Sequence, residues 1–165
     1  MVQGFTVEEM IRGTELILLS AQGEDVEVPY RLTDMAADGV ALLDVLGIDS
    51  AHVVGVSMGG MIAQTIAIEH PSRVRTLTSI MSTTGEPEVG QPTPEAMEAL
   101  MQPPAESRTE AIEAAVITRR VIGSPEAFDE DAVRALATAA YDRCYDPGGL
   151  ARQLLAITAS GSRAD

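Results

Sequence analysis

The stretch Ala51 to Val74, AHVVGVSMGGMIAQTIAIEHPSRV, constrains this chain more than any other. A short apolar run leads into a glycine-flanked serine, and an amphipathic segment follows that stops at Pro71. His52 to Val56 is apolar and β-branched, as a buried parallel strand is. Met58, Ile62, Ile66 and Ile68 recur at helical spacing, and the helix closes at His70, just before the proline. Between strand and helix, Gly55-Val56-Ser57-Met58-Gly59 is a GxSxG sequence, in which a serine on a sharp strand-to-helix turn is lifted clear of the sheet with its hydroxyl exposed. Ser57 is therefore the candidate nucleophile. Gly55 and Gly59 are read as omitting side chains where so tight a turn would clash, and Gly60 as letting the helix pack closely on neighbouring strands. The plainer alternative is an ordinary strand-helix connection capped by a serine.

The flanking sequence reads as alternating strands and helices. Thr6 with Glu9 makes a capping box, so Val7 to Arg12 is expected to be helical and closed by Gly13. Glu15 to Leu19 is an apolar run of strand length, followed by a loop from Ser20 to Glu27; a hairpin with Val26 to Pro29 is disfavoured by Pro29. Thr33 is placed to cap a helix through Leu46, with Met35, Leu42, Leu43 and Leu46 on one stripe, Asp34 and Asp38 near its positive end, and Gly47 at its stop. Arg73 to Ser82 returns as a strand. Strand-helix-strand-helix-strand predicts a parallel sheet with right-handed crossovers, hence the α/β class.

From Thr83 to Pro94 the chain is polar and turn-forming, and no strand-like run follows. Helices are expected at Pro94 to Met101, Thr109 to Ile122, Asp129 to Tyr145 and Leu150 to Ser160, punctuated by Pro103-Pro104, Ser124-Pro125 and Asp146-Pro147-Gly148-Gly149. Residues 1–85 are thus expected to form a core with the elbow, and 86–165 a helical cap. Such a block lies over the carboxyl ends of the strands, where open α/β sheets bind ligands, and reads as a lid; a purely structural helical subdomain is the alternative.

Composition removes several functions. The 165 residues are 45% hydrophobic, enough for one core, and carry a formal charge of −14, which repels nucleic acid and anionic membranes. Cys144 is the only cysteine, so no internal disulfide forms; with no signal peptide and no apolar span, a cytoplasmic location is expected. No histidine or cysteine pair has metal-ligand spacing, and no metal or cofactor is expected.

YRLTDMAADGVALLDVLGI, AHVVGVSMGGMIAQ, IEHPSRVRTLTSIMSTTG and RQLLAITASGSR together resemble the α/β-hydrolase family, in particular the esterase and proline-iminopeptidase-like branch that includes the aclacinomycin methylesterases. The resemblance implies a partial α/β-hydrolase fold, with parallel strands and crossover helices followed by an all-helical cap. It also implies acyl transfer from a small ester or amide to water through an acyl-enzyme on Ser57, with the Met58 backbone N–H as an oxyanion donor. Met61 and Met81 are candidates for an acyl pocket, although apolar residues near the top of a sheet also serve as core.

That chemistry needs a base beside the serine. The two histidines are His52 and His70. His52 lies at the other end of the strand, roughly 16 Å from Ser57 at about 3.3 Å per residue. His70 lies at the far end of the helix, roughly 18 to 20 Å away at about 1.5 Å per residue. Both are read as structural. In the family the acid and histidine follow strands beyond the cap, and further strands precede the segment near Val7; Ser20-Ala21-Gln22-Gly23 also departs from the acidic-arginine-glycine pattern usual there. The expectation is a chain truncated at both ends and inactive alone, with self-association through an exposed strand edge. Glu86 could stand for the acid, but reads as a solvated loop charge. Two other readings stay open: a non-catalytic small-molecule binding protein, and a cofactor-free haloperoxidase or acyl transfer to an acceptor other than water.

Overall fold

The computed structural model of the chain describes residues 16, 19, 26–86 and 88–161. Its first long element, α1 (Leu32–Val45), begins where Asp34 reaches back to accept from the Arg31 backbone N–H at 2.7 Å. Thr33, expected to be the cap, lies inside the first turn instead. A carboxylate satisfies the leading amide more strongly than a hydroxyl does. The buried stripe also differs from the expected one: Leu32, Ala36 and Val40 face inward, while Leu42 and Leu46 are exposed. Small residues decide this. A Cβ on Gly39 would stand 3.3 Å from Ile66 Cδ1, so the helix settles with its smoothest side against its neighbour. It ends at Leu46, with Gly47 left-handed at φ 67, the stop the sequence predicts.

β1 (Ala51–Val56) and β2 (Val74–Ile80) pair in parallel, with Val53 opposite Leu77 and Val56 opposite Ile80. A parallel pair needs a crossover, supplied here by α2 (Met58–Glu69) and a 3₁₀ turn at Pro71–Arg73. Ala36, Val40 and Ile66 form the core cluster, with Val53, Ile62 and Val74 packed against it. The expectation of a buried β1 holds for one face alone, because His52, Val54 and Val56 are exposed while Gly55 is buried and Val53 half-buried. On α2, Ile66 is buried but Ile68 is exposed.

The strand expected over Glu15 to Leu19 is not formed at Leu16 and Leu19, its described residues, which are helical. Leucine and glutamate favour helix, and Ile17 alone in this run is β-branched, so apolar length is not a strand signal here. The helix expected over Val7 to Arg12 lies outside the described residues. Val26 to Pro29 carries no strand, consistent with the loop reading.

After β2 the helices are α3 (Pro94–Leu100), α4 (Arg108–Ile122) and α5 (Glu130–Arg143). Thr93, Ser107 and Asp129 cap them, accepting from the N–H groups of Ala96, Glu110 and Ala132 at 3.2, 3.2 and 3.0 Å. The last helix, α6 (Pro147–Thr158), starts earlier than the expected Leu150, with proline preset at its first position. The chain divides into two compact units, one taking in residues up to Gln91 together with Gly148 onward, the other Pro92–Pro147. α6 therefore groups with the strands, although the sequence placed it with the cap helices. Its end is tied there by Ser160 Oγ, which accepts from the Leu32 N–H at 3.0 Å, and by Ala159 O, which accepts from the Arg31 guanidinium.

Candidate active site

Ser57 sits between the last residue of β1 and the first of α2 with φ 56 and ψ −124. A serine occupies this left-handed region at a cost of order 1 to 3 kcal/mol, so the surrounding structure must impose it. Its backbone supplies part of that constraint. The Ser57 N–H donates to Ile80 O at 2.9 Å, and Ser57 O accepts from the Gly60 and Met61 N–H groups at 2.8 and 3.3 Å. The side chain is exposed.

The glycines divide their work differently from the sequence expectation. A Cβ on Gly55 would lie 2.0 Å from Gly59 O and 2.6 Å from Gly60 N, so the strand can pass beneath the turn only as glycine. Gly59, expected to be needed for the same reason, has open space where a Cβ would stand. Its carbonyl, not its missing side chain, is what makes Gly55 necessary. Gly60 is confirmed as a close-approach residue, because a Cβ there would meet Ser82 Cβ at 2.6 Å and Ser79 Oγ at 2.7 Å.

Met58 opens α2, where a backbone N–H has no carbonyl partner within its own helix. The helix dipole adds partial positive charge at that end. Ser57 and Met81 each directly follow the last pair of the register, Val56 opposite Ile80. Met81 is left-handed (φ 50) and 52% exposed; Met61 is half-buried on α2. Ser57 and Met81 are the only non-glycine residues with positive φ among the described residues, and they stand at the carboxyl ends of adjacent strands.

The histidines are where the spacing put them. His52 is exposed at the start of β1, its Nδ1 2.9 Å from Thr76 Oγ1. His70 terminates α2, its N–H donating to Ile66 O at 2.8 Å. Glu86 lies in a turn where its carbonyl accepts from the Val89 N–H at 3.1 Å and from Gln91 Nε2 at 3.3 Å. Sequence reasoning missed Ser79, Ser82 and Gln64. Gln64 Nε2 donates to Ser79 Oγ at 3.0 Å, bracing α2 against β2. Nothing in TSIMS announces that the chain bends at a left-handed Met81, since a left-handed methionine has no sequence signature.

With this geometry in place, the alpha/beta hydrolase fold model matches residues 20–124. Rhodomycin D methylesterase DnrP of Streptomyces peucetius is 34% identical over 140 residues, covering 72% of this chain and 47% of that protein. Rhodomycin D methylesterase DauP of Streptomyces sp. (strain C5) is 34% identical over 126 residues, covering 64% and 42%. The chain thus spans about half the length of the curated relatives it matches. A hydrolase from Pseudomonas aeruginosa PA01 superposes with a TM-score of 0.51 over 81% of this chain and 48% of that one, at 22% identity, a likeness of fold.

Proposed function

Since the chain belongs to the α/β-hydrolase family, we propose that it carries the nucleophile of an esterase-like hydrolase, with Ser57 attacking the carbonyl carbon of a small ester. The single observation that carries this is the φ 56, ψ −124 backbone of Ser57 between β1 and α2, which holds the hydroxyl out in solvent. In the first step the Ser57 Oγ–C bond forms and the carbonyl π bond opens to an oxyanion facing the Met58 N–H. Collapse expels the alcohol, which takes the serine proton, and leaves an acyl-enzyme; water then attacks the same carbon, the Ser57 Oγ–acyl bond breaks as Oγ takes one of the water's protons, and the carboxylic acid leaves. The methylesterase relatives support a small alcohol as leaving group, and Met61 and Met81 support an apolar acyl side.

Both steps need a proton carrier at the serine, and His52 and His70 are held elsewhere. The chain alone is therefore expected to be silent towards ester, and the same fact favours a second reading, a binding protein that keeps the elbow without turnover. Exposed Val54, Val56 and Ile80 on the open sheet face support self-association of the chain through its strands. Added imidazole tests the nucleophile. p-Nitrophenyl acetate turnover should be absent without imidazole and rise with it, and the part of that rise above imidazole's own catalysis should vanish in Ser57→Ala. A rise unaffected by Ser57→Ala removes the nucleophile assignment.

A further inference from the structure

At the elbow, β2 does more than pair with β1. Its last carbonyl, Ile80 O, holds the Ser57 N–H. Beyond it Met81 turns left-handed, and Ser82 comes to rest against the first turn of α2. A Cβ on Gly60 would meet Ser82 Cβ at 2.6 Å and Ser82 Oγ at 2.8 Å, so the two residues touch with no side-chain layer between them. Ser82 Oγ is buried and has no hydrogen-bond partner among the described residues. Burying an unpaired hydroxyl is unfavourable. What this position contributes is therefore its small size and its fixed place, not a hydrogen bond.

We infer that Ser82 is a positioning residue for Ser57. Its side chain, seated against Gly60, sets the height at which the first turn of α2 rides over the end of β2. The contact is relayed directly, because the Gly60 N–H donates to Ser57 O at 2.8 Å. Met58 and Gly59 lie between the two, so the same contact sets where the Met58 N–H, the proposed oxyanion donor, stands. The functional meaning rests on Ser57 being the nucleophile; the geometry does not. A residue one methyl larger at 82 adds bulk to the side chain that rests against Gly60 and is expected to lift the turn, and displacing a reacting group by about 1 Å costs on the order of a hundredfold in rate.

The test uses the full chain, labelled for amide NMR. Ser82→Ala should leave the Met58 and Gly59 amide resonances in place and hold or raise Tm, since it removes the unpaired hydroxyl. Ser82→Thr should move those two resonances while the amides of α4 stay where they are. Gly60→Ala should lower Tm by roughly 5 °C or more; because the new Cβ meets Ser79 Oγ at 2.7 Å as well as Ser82, adding Ser82→Gly in a Ser79→Ala background should recover more of the loss than Ser79→Ala alone does. If Gly60→Ala does not fold even with Ser79→Ala, folding on further addition of Ser82→Gly counts as recovery and failure to fold as refutation. Unmoved Met58 and Gly59 amides in Ser82→Thr, or a Gly60→Ala loss that Ser82→Gly leaves untouched in the Ser79→Ala background, overturns the assignment. Failure of the nucleophile reading shows up separately, as imidazole-supported ester hydrolysis indifferent to Ser57→Ala.

Discussion

The unit that carries Ser57 and the helical unit Pro92–Pro147 are held together on different terms. In the first, close approaches are made at glycines: Gly39 to the Ile66 side chain, Gly55 to the Gly59 carbonyl, Gly60 to the Ser82 side chain. In the second, Ile112 and Val116 are the only buried apolar side chains among the described residues, and α5 buries none. Charged side chains join α4 to α5 instead. Arg108 reaches both oxygens of Asp142 at 2.7 and 2.8 Å, and Arg134 bonds Glu113 on α4 and Glu130 on its own helix. Arg120 holds Glu130 at 2.5 Å and lies 5.1 Å over the Phe128 ring. The hydrogen bond from Arg134 holds the Glu113 carboxyl below its ordinary range, and that from Arg108 does the same for Asp142. Close steric contact is blind to pH and salt. Exposed ion pairs are not.

The largest effect expected is in the first unit. Gly55→Ala puts a Cβ 2.0 Å from a backbone oxygen that nothing can move aside, and should cost more than about 3 kcal/mol in chemical denaturation. A stable Gly55→Ala chain would mean that the elbow is not built on that approach. Next, Ile66→Ala removes the centre of the core cluster and should cost about 2 to 5 kcal/mol by the same measurement.

Acid should loosen the helical unit. Glu113 and Asp142 titrate lower in the folded chain than in the unfolded one, so their contribution is fully present above the ordinary values of 4.5 and 3.8 and drains away as pH falls below them. Amide NMR on acidification should show α4 and α5 losing protection before α2. The smallest effect is expected from Arg134→Ala. Its pairs are solvent-exposed, so it should lower Tm slightly at low salt and not at all near 1 M, where the Debye length is about 3 Å.

The same contrast explains what the sequence could disclose. Turn chemistry was legible in part: the glycine-flanked serine marks the strand-to-helix turn and Gly47 closes its helix, because each acts on its own neighbours in the chain. Which face of α1 is buried was not, because Leu42 and Leu46 outrank Ala36 and Gly39 in hydrophobicity but not in how closely they let Ile66 approach. The strand read at Glu15 to Leu19 failed for a related reason, since a run of leucines serves helix and strand alike. The place of Ser57 on the strand-to-helix turn was read from local spacing. Ser82 was not, because its role depends on a contact across the sheet end that no local pattern encodes.

The central claim is that Ser57 stands exposed at the elbow beyond reach of both imidazoles. The rate at which a fluorophosphonate forms its Ser57 adduct, followed by mass spectrometry in the unaltered chain and in the His52→Ala/His70→Ala variant, tests this directly. Equal rates are predicted. A drop of about a hundredfold or more in the variant, the loss that removing a general base brings, would contradict it.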